Sequence, residues 1–143
     1  MHGADAESMT SDLRFCPFCP AAPGGDPSGV DPAAIVQRWA AATAFYPRQR
    51  AIPGHVIVAP YAHVESGHRD PVVTGYAAAC AAELADHLGY REYNLIQSSG
   101  RSATQTVPHL HWHLVPRSPD DGLPLPWTPS QQQEQMERAE AAA

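Results

Sequence analysis

The chain has 143 residues, 43% of them hydrophobic, and a formal net charge of −6. This length and composition are typical of one soluble globular domain with its own core. Its lysines and arginines form no cluster, which argues against binding to a nucleic-acid polymer but is compatible with a small phosphate ester. No apolar run is long enough to cross a membrane, and the first 15 residues lack the apolar region of a signal peptide. We therefore expect a cytoplasmic protein that does not bind membranes.

The chain ends and the cysteines define the predicted organisation. Residues 1–14 are expected to form a disordered tail, residues 15–128 the folded domain, and residues 129–143 a C-terminal tail that is either a weak helix or disordered. Cys16 and Cys19 form a CPFC motif, whereas Cys80 lies in an alanine-rich run that is predicted to be helical. Because the number of cysteines is odd, a disulfide framework is not expected, and Cys80 is predicted to be a small buried residue.

Five strands and one long helix are predicted between the two tails. The strands are expected at residues 35–39, 42–46 (where a short helix is the alternative), 56–60, 93–98 and in the histidine-rich segment that ends at Pro116. The helix begins after Asp70, the expected N-cap, has Pro71 in its first position and stops at Gly89. Its mostly apolar side is traced by Val72, Tyr76, Ala79, Cys80, Glu83, Leu84 and Leu88. These elements predict an α+β domain with an antiparallel sheet.

The histidine-rich segment, residues 105–117, reads QTVPHLHWHLVPR. Its three histidines alternate with apolar residues, and alternation is typical of a strand with two different faces. The strand would place the imidazoles on an open face and the apolar side chains against the helix. The imidazoles are those of His109, His111 and His113, and the apolar side chains are those of Leu110, Trp112 and Leu114. Such a face normally carries β-branched or charged residues, so a row of histidines points to chemistry.

Two interpretations of the row are catalytic. A neutral imidazole can attack phosphorus, and the middle histidine is well placed because its neighbours can contact the same phosphate. Gln105 and Thr106, just upstream, would then donate hydrogen bonds to the phosphate or the leaving group. Alternatively, the alternating histidines hold a catalytic metal ion with water in an open position.

A third interpretation divides the row between two tasks. Cys16 and Cys19, at C-x-x-C spacing, provide half of a tetrahedral zinc site. His63 and His109 are candidates for the other two ligands, and a structural zinc would then fasten the N-terminal motif to the histidine strand. The residues alone leave the three interpretations open.

Several segments together resemble the histidine triad (HIT) family. HLHWHLV at residues 109–115 matches the motif H-φ-H-φ-H-φ-φ that gives the family its name, where φ is an apolar residue. QTV at 105–107, PGHVIVAPYAHVES at 53–66 and the CPFC motif also resemble family segments, so the resemblance covers most of residues 16–117. DGLPLPWT at 121–128 is similar to the tail of short actinobacterial and phage members.

The resemblance implies a compact α+β fold that usually forms a homodimer, with the sheet continued across both subunits. It also implies nucleotidyl transfer or hydrolysis at the α-phosphate of a nucleotide conjugate. In that scheme His111 is the nucleophile and His113 contacts the phosphate, with Gln105 and Thr106 beside the leaving group. A structural zinc ion would be held by Cys16, Cys19, His63 and His109.

Two positions depart from the family pattern. Pro47 stands where many members carry an aspartate that binds the ribose hydroxyls, and Ser98 stands where an asparagine is common on the phosphate side. Ser98 is therefore a candidate substrate contact with a shorter reach. Because both changes affect nucleoside recognition, a nucleotide-binding module with little catalytic activity is the alternative to an enzyme.

Overall fold

The computed structural model describes residues 16–19 and 29–142, so the predicted tail at residues 1–14 lies outside the described residues. The described strands are β1 (Ile35–Arg38), β2 (Ala42–Phe45), β3 (Val56–Pro60), β4 (Tyr93–Gln97) and β5 (Trp112–Pro116). The described helices are α1 (Pro71–His87) and α2 (Pro129–Ala142). Within these residues, neither helix is long and apolar enough to cross a membrane.

The five strands form one antiparallel sheet in the order β1-β2-β3-β5-β4. The first three strands follow one another as a meander, α1 crosses to the far edge, and β5 returns between β3 and β4. His113 on β5 lies opposite Ile57 on β3 and Ile96 on β4. The predicted α+β fold with an antiparallel sheet and one main helix is therefore confirmed.

The ends of α1 agree with the sequence signals. The Asp70 carboxylate accepts the N–H of Val73 at 3.0 Å, which satisfies one of the free donors of the first turn. Pro71 follows at the first helical position, and Gly89 ends the helix with a φ of 78°, a left-handed conformation that favours glycine.

The buried side of α1 differs from the predicted one. Its buried residues are Ala77, Cys80, Ala81, Leu84 and Ala85. Cys80 and Leu84 were predicted correctly, but Val72 is 82% exposed, and the other four residues on the predicted side are also exposed. The reason is that the alanines at 77, 81 and 85 let the helix lie close to the sheet, so small residues rather than the larger apolar ones mark the contact face.

The sheet separates two clusters of apolar side chains. On the helix side, the cluster includes Val56, Val58 and Leu114 of the sheet together with Cys80 and Leu84 of α1. Burying a leucine of this kind contributes about 2 kcal/mol to the hydrophobic stabilisation. The opposite side carries a smaller cluster that contains Phe45, Ile57 and Ala59, against which Phe18 of the CPFC motif packs. The second side is the one that carries His113, the partner of Ile57 across the ladder.

Strand β5 is shorter than predicted. It begins at Trp112, so His109 and His111 precede it and only His113 lies within it. The cause is a pair of competing hydrogen bonds: the N–H of Leu110 bonds to the carbonyl of Val64, and the N–H of His109 bonds to the carbonyl of Val107 at 2.8 Å, instead of to the sheet. The prediction that apolar residues face the helix is borne out for Leu114, which joins the helix-side cluster, and for Trp112, whose indole N–H bonds to the carbonyl of Thr74 at 3.1 Å.

Candidate active site and metal centre

The middle histidine of the row is held by its own backbone. Nδ1 of His111 lies 2.7 Å from the carbonyl oxygen of His109. A carbonyl only accepts, so Nδ1 carries the proton and Nε2 keeps a free lone pair. Burial lowers the pKa of His111, against the raising effect of the His109 carbonyl. The ring is therefore neutral at pH 7, with one nitrogen available as a nucleophile or ligand.

The histidine row is covered by the CPFC motif, contrary to the predicted open face. His109 is completely buried and His111 is 7% exposed. The Phe18 ring lies edge-on to both, with centroids 5.7 Å and 5.3 Å away, and packs on Phe45 at 5.1 Å. The sequence marks Phe18 only as the residue between two cysteines, so its position over the site was not predicted.

The last histidine of the row, His113, forms a hydrogen bond with His55, which lies immediately before β3. Nε2 of His55 lies 2.9 Å from Nδ1 of His113, and Nδ1 of His55 accepts the N–H of Ala51 at 3.1 Å. Burial and the neighbouring His111 and His55 lower the pKa of His113 to about 4. In the sequence His55 simply follows Gly54, and nothing in the chain order indicates its contact with the row.

The four predicted metal ligands come together. Cys16, Cys19, His63 and His109 each place one ligand atom within 4.8 Å of all the others. Sγ of Cys16 and Sγ of Cys19 each lie 3.5 Å from Nδ1 of His109, Sγ of Cys19 lies 3.2 Å from Nδ1 of His63, and the two Nδ1 atoms lie 3.2 Å apart. This cluster, called the Cys2His2 cluster below, is close enough to bind a metal ion.

A hydrogen bond on the far side of His109 prepares the Cys2His2 cluster for a cation. Nε2 of His109 lies 2.8 Å from the carbonyl of Pro60, which keeps the proton on that nitrogen and turns the Nδ1 lone pair towards the sulfurs. Burial is the main cause that lowers the pKa of His109 to about 4, so the ring is neutral. Burial and the neighbouring Cys16 raise the pKa of Cys19 to about 12. A bound cation is what would stabilise a thiolate in this place.

A cleft of about 570 Å³ lies beside the segment that leads into the histidine row. Its lining residues are Glu65, Ser66, His68, Ser99, Gly100, Arg101, Thr104, Gln105, Thr106 and Pro108. Gln105 joins the two walls, since its side-chain oxygen accepts the N–H of Gly100 at 2.8 Å and its amide group donates to the carbonyl of Glu65. Thr106 is exposed on the lining, and its contact with a substrate stays a prediction.

The predicted contact Ser98 is half-buried and does not line this cleft, whereas its neighbour Ser99 does. The Ser99 hydroxyl oxygen lies 3.3 Å from the N–H of Gly67, and the Gln97 amide donates to it at 2.7 Å. Ser99 therefore connects the glycine turn to the loop before α1. The role of Ser98 stays a prediction.

Comparison with known proteins agrees with this arrangement. The family model described as the HIT domain matches residues 28–120. An uncharacterized HIT-like protein of Methanocaldococcus jannaschii is 31% identical over 101 residues, which cover 66% of this chain and 77% of that protein. An adenosine 5'-monophosphoramidase of Saccharomyces cerevisiae is 34% identical over 87 residues, covering 59% of this chain, and the alignment spans about half (54%) of the yeast protein.

Solved structures show the same fold. A HIT family hydrolase from Clostridium thermocellum superposes with a TM-score of 0.56 at 28% identity, covering 64% of this chain and 84% of that one. A HIT family hydrolase from Legionella pneumophila gives a TM-score of 0.57 at 25% identity, with coverage of 69% and 89%. The family model matches most of the described domain, and the histidine row and the sheet that carries it agree with that match. The chain therefore belongs to the histidine triad (HIT) family.

Proposed function

We propose that the chain is a nucleotide hydrolase or nucleotidyl transferase that acts at the α-phosphate of a nucleotide conjugate through a covalent intermediate on His111. The observation that carries this proposal is the 2.7 Å contact between Nδ1 of His111 and the carbonyl of His109, which leaves Nε2 unprotonated. The relatives named adenosine 5'-monophosphoramidase, 34% and 29% identical, support the same class of reaction.

The reaction divides into two displacements at phosphorus. In the first, the Nε2 lone pair of His111 forms a P–N bond while the bond to the leaving group breaks, and the leaving group departs with that electron pair and takes a proton from solvent. In the second, a water oxygen attacks phosphorus, the P–N bond breaks with its electron pair returning to Nε2, and the water proton passes to solvent. The product is a nucleoside monophosphate.

The surrounding groups would stabilise charge rather than supply further bonds. His111 becomes cationic when it is bonded to phosphorus, and the His109 carbonyl, already in contact with its Nδ1–H, stabilises that cation. His113 is proposed to contact a phosphate oxygen. The cleft beside Gln105 and Thr106 is proposed to receive the leaving group, and Ser98 to lie on the phosphate side.

We further propose that the Cys2His2 cluster holds a structural zinc ion. Ligands at the usual zinc distances, about 2.0–2.1 Å for nitrogen and 2.3 Å for sulfur, lie about 3.3–3.8 Å apart in a tetrahedron. The observed separations of 3.2 Å and 3.5 Å match that spacing, and two thiols with two imidazoles are a donor set that zinc prefers. All four residues would be ligands, so the ion would fasten the CPFC motif to His109 and leave no coordination position for substrate.

The proposal also covers the domain bounds, the cellular location and the oligomeric state. The folded domain is proposed to span residues 15–128, and the protein to be cytoplasmic. It is also proposed to be a homodimer whose sheet continues across β4. In support, β4 lies at the edge of the sheet, and its Tyr93 and Ile96 are 38% and 37% exposed.

The test is to trap the intermediate. The zinc-loaded protein is mixed with an adenosine phosphoramidate or a dinucleoside polyphosphate, quenched at alkaline pH because phosphohistidine bonds are acid-labile, and examined by intact-mass spectrometry. We expect an added nucleotide on the wild type and on the control His87→Ala, an exposed residue at the end of α1. His111→Ala should show neither adduct nor turnover. Turnover by His111→Ala at the wild-type rate would refute the proposal.

The second candidate, a nucleotide-binding module, rests on Pro47, which cannot accept a hydrogen bond from ribose with its side chain. Under this alternative, calorimetry would detect nucleotide binding, while the wild type would give no adduct and no turnover over the whole panel of conjugates. The same two measurements therefore separate the two candidates.

A further inference from the structure

We propose that His55 is a positioning residue that fixes the ring tautomer of His113, so that His113 presents an Nε2–H donor to the substrate phosphate. The inference rests on the proposed function, since it assumes that His113 contacts phosphate. It is carried by the hydrogen bonds of His55 and by the turn that holds it.

The direction of the hydrogen bonds follows from one backbone donor. The N–H of Ala51 points at Nδ1 of His55 at 3.1 Å, so Nδ1 accepts and carries no proton. The single proton of the neutral ring is then on Nε2, which lies 2.9 Å from Nδ1 of His113. Nδ1 of His113 must therefore accept, and its own proton is on Nε2. In the reverse direction His55 would accept at both nitrogens, which would require an imidazolate anion.

His55 is fixed firmly enough to impose this order. It is 5% exposed, and its backbone N–H bonds to the carbonyl of Ile52 at 3.1 Å. The preceding residue, Gly54, has a φ of 89° and its carbonyl accepts the Tyr90 hydroxyl at 2.7 Å. Strand β3 begins one residue later at Val56. The turn and the strand fix the backbone of His55, and the two hydrogen bonds of its ring hold the ring in this orientation.

The consequence for His113 is a neutral ring with one free donor. A proton added at Nδ1 of His113 would meet the Nε2–H of His55 head-on, so protonation there is opposed by geometry as well as by burial. The remaining Nε2–H is a donor, which suits a phosphate oxygen and not a cation. Without His55, Nδ1 of His113 would have no buried donor opposite it, and the ring would be free to move its proton to Nδ1 and lose the donor on the substrate side.

The experiment reads the tautomer by nitrogen-15 NMR of the zinc-loaded protein at pH 7, with His113 assigned by the signals that disappear in His113→Asn. In the wild type we expect the protonated nitrogen to be Nε2 in both His55 and His113. A wild-type His113 that carries its proton on Nδ1 overturns the proposal, whatever the variants do.

Two variants of His55 give the causal test. His55→Leu removes the donor, and His113 should then show a mixture of tautomers and a kcat about tenfold lower with little change in KM. His55→Gln keeps an N–H at the position of Nε2 and should restore both the tautomer and most of kcat. The control is His87→Leu, which should behave as the wild type in both measurements.

The variant outcomes also separate this inference from the proposed function. A folded, zinc-loaded His55→Leu protein with the wild-type His113 tautomer refutes the positioning role even if kcat falls. If the wild type gives no adduct on His111, the proposed function fails while the tautomer measurement still decides the role of His55. Thermal unfolding and zinc content establish that each variant is folded before it is compared.

Discussion

The neutral state of His113 makes a specific prediction about acid stability. Its pKa in the folded protein is about 4, because burial and the neighbouring His111 and His55 disfavour the charged ring. In the unfolded chain the pKa returns to about 6.5. Below that pH the unfolded chain binds a proton that the folded protein does not, so the unfolded state is favoured. The stability that depends on this residue is therefore complete above pH 6.5 and is lost as the pH falls towards 4.

The size of the loss follows from the two pKa values. A shift of one unit corresponds to about 1.4 kcal/mol, so the full difference between pKa 6.5 and 4 is about 3.4 kcal/mol, of which about 2.4 kcal/mol is lost by pH 4.5. His113 is partly exposed, and solvent screening reduces the expected loss to about 1–2 kcal/mol. The side chain of the His113→Gln variant cannot be charged. Between pH 7 and pH 4.5 this variant should therefore lose less free energy of unfolding than the wild type, and the difference should equal that amount.

The measurement is urea unfolding at pH 7 and pH 4.5, followed by far-UV circular dichroism, for the wild type and His113→Gln. Both proteins keep the Cys2His2 cluster. Metal content is measured at each pH, so that the effect of any metal released in acid can be compared between the two proteins. If His113→Gln loses as much free energy of unfolding between the two pH values as the wild type does, His113 is not held neutral by the fold and the reasoning is wrong.

Two further perturbations test the turn before β3 and the metal centre. Gly54→Ala should lower the free energy of unfolding in urea by about 1–3 kcal/mol, because φ is 89° and the new Cβ would lie 2.7 Å from the Tyr90 hydroxyl oxygen. Gly75→Ala, in a helix position with nothing within 4 Å, should instead stabilise by about 0.5–1 kcal/mol, and a loss there would contradict the argument. A chelator should lower the thermal midpoint of the wild type but not that of Cys19→Ala; equal shifts in both would rule out the Cys2His2 cluster as the metal site.

The features that the sequence predicts well are those that depend on residues close together in the chain. The N-cap Asp70 and the stop at Gly89 are local signals, and the helix begins and ends where they stand. The β-branched residues Val56, Ile57 and Val58 likewise lie in a strand that ends at Pro60, as predicted. The proposed metal ligands are scattered over 93 positions between Cys16 and His109, and no local rule joins them. The residues alone therefore offered His63 and His109 only as candidates, and the resemblance to the family was needed to prefer this set.

The features that were predicted wrongly depend on contacts that chain order does not reveal. The alternation at 109–113 looks like continuous strand, but Leu110 bonds to Val64 and the segment leaves the ladder before Trp112. The open histidine face was wrong because Phe18 packs over it from a motif more than 90 positions away. In both cases the competing contact comes from a loop that is distant in sequence. The residues of the strand itself give no indication of that contact.

The chemical difference between the three histidines of the row has the same origin. Each ring uses one nitrogen for an internal partner: His109 for the carbonyl of Pro60, 49 positions away, His111 for a carbonyl two positions away, and His113 for a histidine 58 positions away. The nitrogen left over then differs in position and in kind. It is an Nδ1 lone pair facing two thiols in His109, an Nε2 lone pair in His111, and an Nε2–H donor in His113. Under the proposed function, one hydrogen bond to each ring is therefore what would make three identical side chains a metal ligand, a nucleophile and a phosphate donor.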